Sequence, residues 1–316
     1  MGGRLKNFPV PFFSVVMGIA GATIASQRVE ASLQTGAVVS GVLLLLSVTV
    51  FALILCLYTV KMMLYTDEVK KEFRDPVRIN FFPTVSISLL LLAVAFSPLH
   101  PRVGATLALT GAILQFFFFL VIVAEWIRHE RFEIKHMNPS WFIPAVGNLL
   151  ISIACTGITP AIVSWFFFSA GIFFWLVLQV ILFSRIIFNA PLPEKLVPTF
   201  FILIAPPAVG FLAYFKLTGV VDNFATFLFC VALLMFFLLL SLGRMFFQIR
   251  FFISWWAYSF PLAALTMASL AYHHHGGGEV PLYFGLGLFL LLALLILFLI
   301  IRTLIAILRH EICVEE

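Results

Sequence analysis

Long apolar runs alternate with short polar ones along the chain, and the apolar runs are of two kinds. Five carry an interior proline, Pro11 (with Pro9), Pro83, Pro144, Pro207 (with Pro206) and Pro261, and each is followed by a run without one. The prolines recur at intervals of 54 to 72 residues. That is the length of a helical hairpin in which each arm needs about 20 apolar residues to cross a bilayer. The pattern predicts ten crossings, at roughly 8–26, 37–64, 79–97, 103–127, 140–157, 160–187, 196–217, 223–247, 251–272 and 280–308. They pair into five hairpins, 8–64, 79–127, 140–187, 196–247 and 251–308, within one all-α membrane domain covering residues 1–316.

The two kinds of run differ in more than proline. Even-numbered ones contain stretches such as Val42–Leu46, Phe116–Phe119, Phe166–Phe168, Met235–Leu240 and Leu288–Ile301. Helices apolar on every face belong against lipid or packed protein. Odd-numbered ones are rich in Pro, Gly, Ser and Ala, and the third residue after each proline is small: Ser14, Ser86, Gly147, Gly210 and Ala264. One turn beyond a kink, that position shares a face with the proline. Proline removes a backbone hydrogen bond, and a carbonyl freed in lipid must find another partner. For any single run, tight helix packing through small residues explains the motif. Five in register, alternating with five plain runs, point to an inner ring of kinked helices around a central path.

Charge sets the expected orientation. Of the 19 Lys and Arg, 16 fall on the side holding both termini, and the opposite side has only Arg28, Arg102 and Lys216. The positive-inside rule then places both termini in the cytoplasm, at a plasma (inner) membrane, and an even number of crossings requires that they lie together. With 63% hydrophobic and 10% charged residues and a mean hydropathy of +1.14, the chain is outside the soluble class. A net charge of +5 confined to loops does not point to nucleic acid. The first run starts at Phe8, after Arg4 and Lys6, with no small-residue cleavage site, so no signal peptide is expected. Cys56, Cys155, Cys230 and Cys313 are scattered singly and read as small buried hydrophobes, with neither a disulfide framework nor a metal site implied. No nucleophile–base pair, phosphate loop or ligand pair is apparent, so neither an enzyme nor a cofactor is expected.

The interiors of the odd runs lack Asp, Glu, Lys, Arg and His, which argues against the buried relays of proton-coupled carriers. Glu125, near the end of the fourth run, is read as reaching the interface or pairing with a loop base. A path lined by apolar and small groups binds its ion weakly and closes by steric or hydrophobic occlusion. Aromatic rings stand beside the kinks at Phe12, Phe13, Phe81, Phe82, Phe142 and Phe260. Phe260 directly precedes Pro261 in mid-run, where a ring serves as a plug or as core packing.

The strings Asn7-Phe8-Pro9-Val10-Pro11-Phe12-Phe13, Asp75-Pro76-Val77-Arg78-Ile79-Asn80-Phe81-Phe82-Pro83, Asn138-Pro139-Ser140-Trp141-Phe142-Ile143-Pro144-Ala145-Val146-Gly147, Ala205-Pro206-Pro207-Ala208-Val209-Gly210 and Trp256-Ala257-Tyr258-Ser259-Phe260-Pro261 resemble the tellurite-resistance/dicarboxylate transporter family. That family includes bacterial tellurite-resistance protein A and the slow-type anion channels of plant guard cells. The resemblance covers nearly the whole chain, with motifs in all five hairpins in order. It implies ten helices in quasi-fivefold array with five inner helices forming a pore, a homotrimer with one pore per protomer, and Phe260 as the gate. The pore-lining and kink positions are then Pro11, Phe12, Ser14, Phe82, Pro83, Ser86, Phe142, Pro144, Gly147, Pro207, Gly210, Pro261 and Ala264. The long phosphorylated tails of the plant channels have no counterpart here, so control through tails is not expected.

The expected activity is passive passage of small monovalent anions, chloride and nitrate, through that pore. The alternative is a uniporter or proton-linked carrier for dicarboxylate, sulfite or tellurite oxyanions. With no fixed charge in the path, weakly hydrated anions such as nitrate are expected to pass better than chloride. A basic rim (Lys61, Lys70, Lys71, Arg74, Arg78, Arg128, Arg131, Lys135, Arg244, Arg250) is expected to gather anions at the cytoplasmic mouth, offset in part by nearby Asp and Glu. His273-His274-His275, followed by three glycines, reads as a solvated outer loop or as a metal- or proton-sensing site at the outer mouth.

Overall fold

The computed structural model describes residues 2–276 and 278–313 and is almost entirely helical. Ten helices make up the body: α1 (Phe13–Ser32), α2 (Val38–Leu64), α3 (Thr84–Phe96), α4 (Pro101–Arg128), α5 (Phe142–Cys155), α6 (Ala161–Phe188), α7 (Ala205–Thr218), α8 (Asn223–Ser241), α9 (Ser259–His274) and α10 (Val280–Leu308). With their lead-in turns, eight of the ten are long and apolar enough to cross a membrane; α5 is apolar but shorter, and α9 is not among the eight. The chain is therefore a multi-pass membrane protein.

The prolines do not sit inside continuous α-helices. Each odd helix is preceded by a 3-10 segment: Val10–Phe12, Arg78–Phe81, Pro139–Trp141, Glu194–Ile204 and Ile253–Tyr258. Pro11 lies in the first of these, Pro83 immediately precedes α3, and Pro144, Pro207 and Pro261 each stand third in their α-helix. The first turn has no intrahelical partner for its N–H groups, so a residue without one, with φ already fixed, fits there at little cost. The expected mid-helix kink is instead a junction between two helix types. Asx-Pro motifs start two of the lead-ins. Asp75 Oδ1 accepts from the Val77 and Arg78 amides at 2.9 and 2.7 Å, and Asn138 Oδ1 accepts from the Ser140 amide at 3.0 Å.

Odd and even helices separate by burial. Of the odd helices that meet the crossing criteria, at least 78% of the apolar window is buried; of the even ones, at most 39%. Each odd helix packs on the even one that follows it, and α1, α3, α5, α7 and α9 pack in succession, with α9 returning to α1. Even helices turn large apolar side chains outward, among them Leu45, Ile113, Phe173, Leu234 and Leu290. Cys56 and Cys230 belong to this exposed set, so only Cys155 is a buried core cysteine as expected.

Polar groups in the interior hold neighbouring helices together, as an apolar solvent requires. Thr23 Oγ1 and Ser47 Oγ meet at 3.2 Å between α1 and α2, and Gln27 Nε2 donates to the Ala95 carbonyl at 2.9 Å between α1 and α3. Trp256 Nε1 donates to Thr303 Oγ1 at 3.0 Å, tying the lead-in of α9 to α10.

Candidate functional site

Two cavities lie end to end inside the odd helices. The one nearer the termini, about 50 Å³, is lined by residues from all five odd helices or their lead-ins, including Ser14, Phe81, Thr84, Phe142, Trp256, Phe260 and Pro261. The other, about 360 Å³, opens at the opposite mouth and is again lined by α1, α3, α5, α7 and α9. No even helix contributes to either lining. Leu150 and Phe260 are shared by both. Phe260 is 6% exposed and is held by α1: a Cβ on Gly21 would stand 3.3 Å from its ring.

The smaller cavity offers little to bind. Its hydroxyls already donate to backbone, Ser14 Oγ to the Pro11 carbonyl at 2.6 Å and Thr84 Oγ1 to the Phe81 carbonyl at 2.5 Å. The wall is otherwise apolar, so an anion entering it meets neither a charge nor a free hydroxyl donor from those side chains.

Of the expected gate and pore-lining positions, Phe260, Ser14, Phe142 and Pro261 reach this lining and the others do not; among the other rings beside the kinks, Phe81 reaches it as well. Phe12 stacks on Phe8 at 4.5 Å. Phe82 packs edge-on among Tyr58 and Phe73. The small residues of the second, third and fourth hairpins point toward even helices. Ser86 donates to Gln115 Oε1 at 2.7 Å, Gly147 is closed over by the Gln115 amide, and Gly210 faces Ile172 and Leu228. Ala264 is buried in the core, and Pro11, Pro83, Pro144 and Pro207 set the junctions described above. Smallness at these positions admits an outer helix rather than opening a lumen.

Gln115 was not legible as important. It is a fully buried amide in the plain helix α4; besides accepting from Ser86, its Nε2 donates to the Pro144 carbonyl at 2.9 Å. It thereby joins α3 to α5. The signal was there, a single amide just before Phe116–Phe119, but lone glutamines are common.

Charges differ at the two mouths. Near the termini many are paired: Lys61 with Glu72 at 3.2 Å in a buried site, Lys71 with Glu68 at 2.9 Å, Lys135 with Glu133 at 2.9 Å. Glu125 pairs with Arg131, as the loop-base reading has it, and with His129. Lysine ammonium groups hold the Glu68 and Glu133 carboxyls below the usual range. Of the expected basic rim, Lys61, Lys70, Lys71, Arg131 and Lys135 are thus paired with carboxylates. At the opposite mouth Arg28, Lys216, His274 and His275 line the large cavity. His273 and His274 close helix α9 rather than forming a loop, and Gly277 lies outside the described residues. The three rings diverge: His273 Nδ1 meets the Gly278 carbonyl, His274 Nε2 meets Ser32 Oγ and His275 Nδ1 meets the Ala271 carbonyl. Among the described residues no three His, Cys, Asp or Glu gather to hold a metal.

A multi-pass helical protein whose inner helices enclose cavities of this kind falls in the class of membrane channels and carriers. The chain belongs to the SLAC1 family, described as voltage-dependent anion channel, whose sequence profile matches residues 7–304. It is 30% identical over 280 residues to the S-type anion channel SLAH2 of Arabidopsis thaliana, covering 85% of this chain and 53% of that one. An uncharacterised transporter of Methanocaldococcus jannaschii is 27% identical over 330 residues, 96% of each chain. The tellurite resistance protein TehA homologue of Haemophilus influenzae is 29% identical over 275 residues, 85% and 83%. The chain spans about half the length of the plant relatives and most of the two prokaryotic ones.

Proposed function

We propose that the protein is a passive channel for small monovalent anions, with all ten helices crossing the membrane as five hairpins and the odd helices surrounding the pore. One observation carries the reading: two cavities lined only by odd helices meet at the ring of Phe260. That ring is the gate. Both termini face the cytoplasm, and the large cavity opens outward. Neighbouring protomers of a homotrimer, together with lipid, cover the exposed faces of the even helices.

The throat supports this activity physically. It carries no ionisable side chain and no free hydroxyl donor, so selectivity follows the cost of shedding water. Nitrate, more weakly hydrated, passes ahead of chloride.

Planar-bilayer currents from the wild type and Phe260→Ala test the proposal. The variant is expected to conduct at least tenfold more, with bi-ionic reversal potentials that favour nitrate. Unchanged current from correctly folded variant would remove Phe260 as gate, and chloride preferred over nitrate would remove the dehydration account. Silence in both proteins, with uptake of radiolabelled malate or sulfite by the same preparation, would establish a carrier instead.

A further inference from the structure

The opposite mouth holds a charge arrangement that conduction alone does not require. Its face carries few Lys and Arg, yet two of them, Arg28 and Lys216, line the same cavity, and neither forms an ion pair among the described residues. His274, His275 and Ser32 complete the rim. Carboxylates close in sequence are turned elsewhere. Glu30 is 9% exposed, and its Oε1 accepts from the Val39 and Ser40 amides at 2.8 and 3.2 Å, capping α2. Asp222 caps α8 through the Phe224 and Ala225 amides at 3.0 and 2.9 Å and accepts from the Tyr214 hydroxyl at 2.6 Å. Glu30 and Asp222 are thus bound at helix starts while Arg28 and Lys216 line the vestibule. A carboxylate at a helix N-terminus is already compensated by the helix dipole, so it does little to cancel a neighbouring cation.

Beyond this vestibule the path changes character. Past Phe260 the throat is narrow, apolar and without charge. Two fixed cations attract a dianion about twice as strongly as a monoanion. The cost of stripping water from an ion grows with the square of its charge, so the throat penalises a dianion far more. Attraction and exclusion act on one ion at successive points.

We infer that the vestibule formed by Arg28, Lys216, His274 and His275 is a receptor for divalent oxyanions of the sulfate class, which dock there and block the pore without passing it. The inference rests on the channel reading above, but the binding site is testable apart from it. Sulfate at the outer face of Phe260→Ala channels carrying nitrate is expected to reduce the current. The half-blocking concentration is expected to rise at least tenfold when R28Q and K216Q are added, and to stay near the parent value with R28K and K216R. Block that persists unchanged in the glutamine variants, block only from the face of the termini, or a reversal potential showing sulfate permeation would each overturn the inference. Calorimetric titration of purified wild-type protein with sulfate decides the site without any current. Heat lost in the R28Q/K216Q protein, in bilayers that stay silent, would uphold the site while the channel reading falls.

Discussion

Phe260 has a seat as well as a position. Gly18 and Gly21 on α1 face the start of α9: a Cβ at Gly18 would stand 2.2 Å from Ser259 Oγ and 2.8 Å from the Trp256 ring, and one at Gly21 3.1 Å from Ala263 Cβ. Both replaced groups are fixed, Ser259 by its bond to the Trp256 carbonyl at 2.6 Å and Trp256 by Thr303. Gly18→Ala is therefore expected to cost about 1–3 kcal/mol, the range for overpacking a filled interior. Gly21→Ala, whose contacts are looser, is expected to cost less. Thermal unfolding in detergent ranks the two, and equal melting temperatures would contradict the packing account. The place of Phe260 on the cavity lining had a sign in the sequence, a ring beside a proline in mid-run. Its seat was not, because Gly18 and Gly21 stand in a run where nearly every residue is small or aliphatic, and nothing in one chain says which glycine meets a neighbour.

At the level of the element, apolar length located the helices within a few residues, since a bilayer selects that length directly. Two ends moved for reasons that composition cannot carry. α1 runs on to Ser32, past the expected residue 26, and Glu30 in its last turns reaches the α2 amides through Oε1. α8 stops at Ser241, with a separate short helix at Gly243–Phe247 where one run to 247 was expected. The 3-10 lead-ins were also illegible, as an apolar 3-10 turn and an apolar α turn have the same residues. Gln115 belongs at this scale too, since it fastens α4 to both α3 and α5. Gln115→Leu leaves Ser86 without its interhelical acceptor and the Pro144 carbonyl without this donor. The expected loss is about 1–2 kcal/mol, above the ~0.6 kcal/mol typical of a single interhelical bond in lipid. Chemical denaturation in mixed micelles measures it, and a stability within a few tenths of wild type would rule the bridge out as a determinant.

Across the described residues, Glu30 and Asp222 are engaged at helix starts, Lys61, Lys71 and Lys135 pair with acids near the termini, and Arg28 and Lys216 line the large cavity without an ion pair. Asp222 tests one part of that arrangement. The Tyr214 hydroxyl first, then the Ala225 and Phe224 amides, hold its carboxyl below the usual range. A depressed carboxyl adds stability above its unfolded-state value and loses it as pH falls through the folded one. Wild type is expected to melt above Asp222→Asn at neutral pH and to converge with it in acid. A gap independent of pH would show that charge has no part in the cap. The sequence disclosed how many cations each face holds. It did not disclose which were neutralised, because pairing depends on helices far apart in the chain.

One aromatic ring and one leucine, Phe260 and Leu150, belong to the walls of both cavities. If water fills the spaces on either side, the electrical resistance of the path is concentrated at that shared wall, and so is the drop in membrane potential. An anion waiting in the broad outer cavity then feels little of the voltage, while one stepping past Phe260 crosses nearly all of it. Moving one charge through the full field is worth ~2.3 kcal/mol per 100 mV. Passage would therefore respond steeply to voltage with no charged helix to sense it, whereas sulfate resting at Arg28 and Lys216 would hold its place almost regardless of the potential.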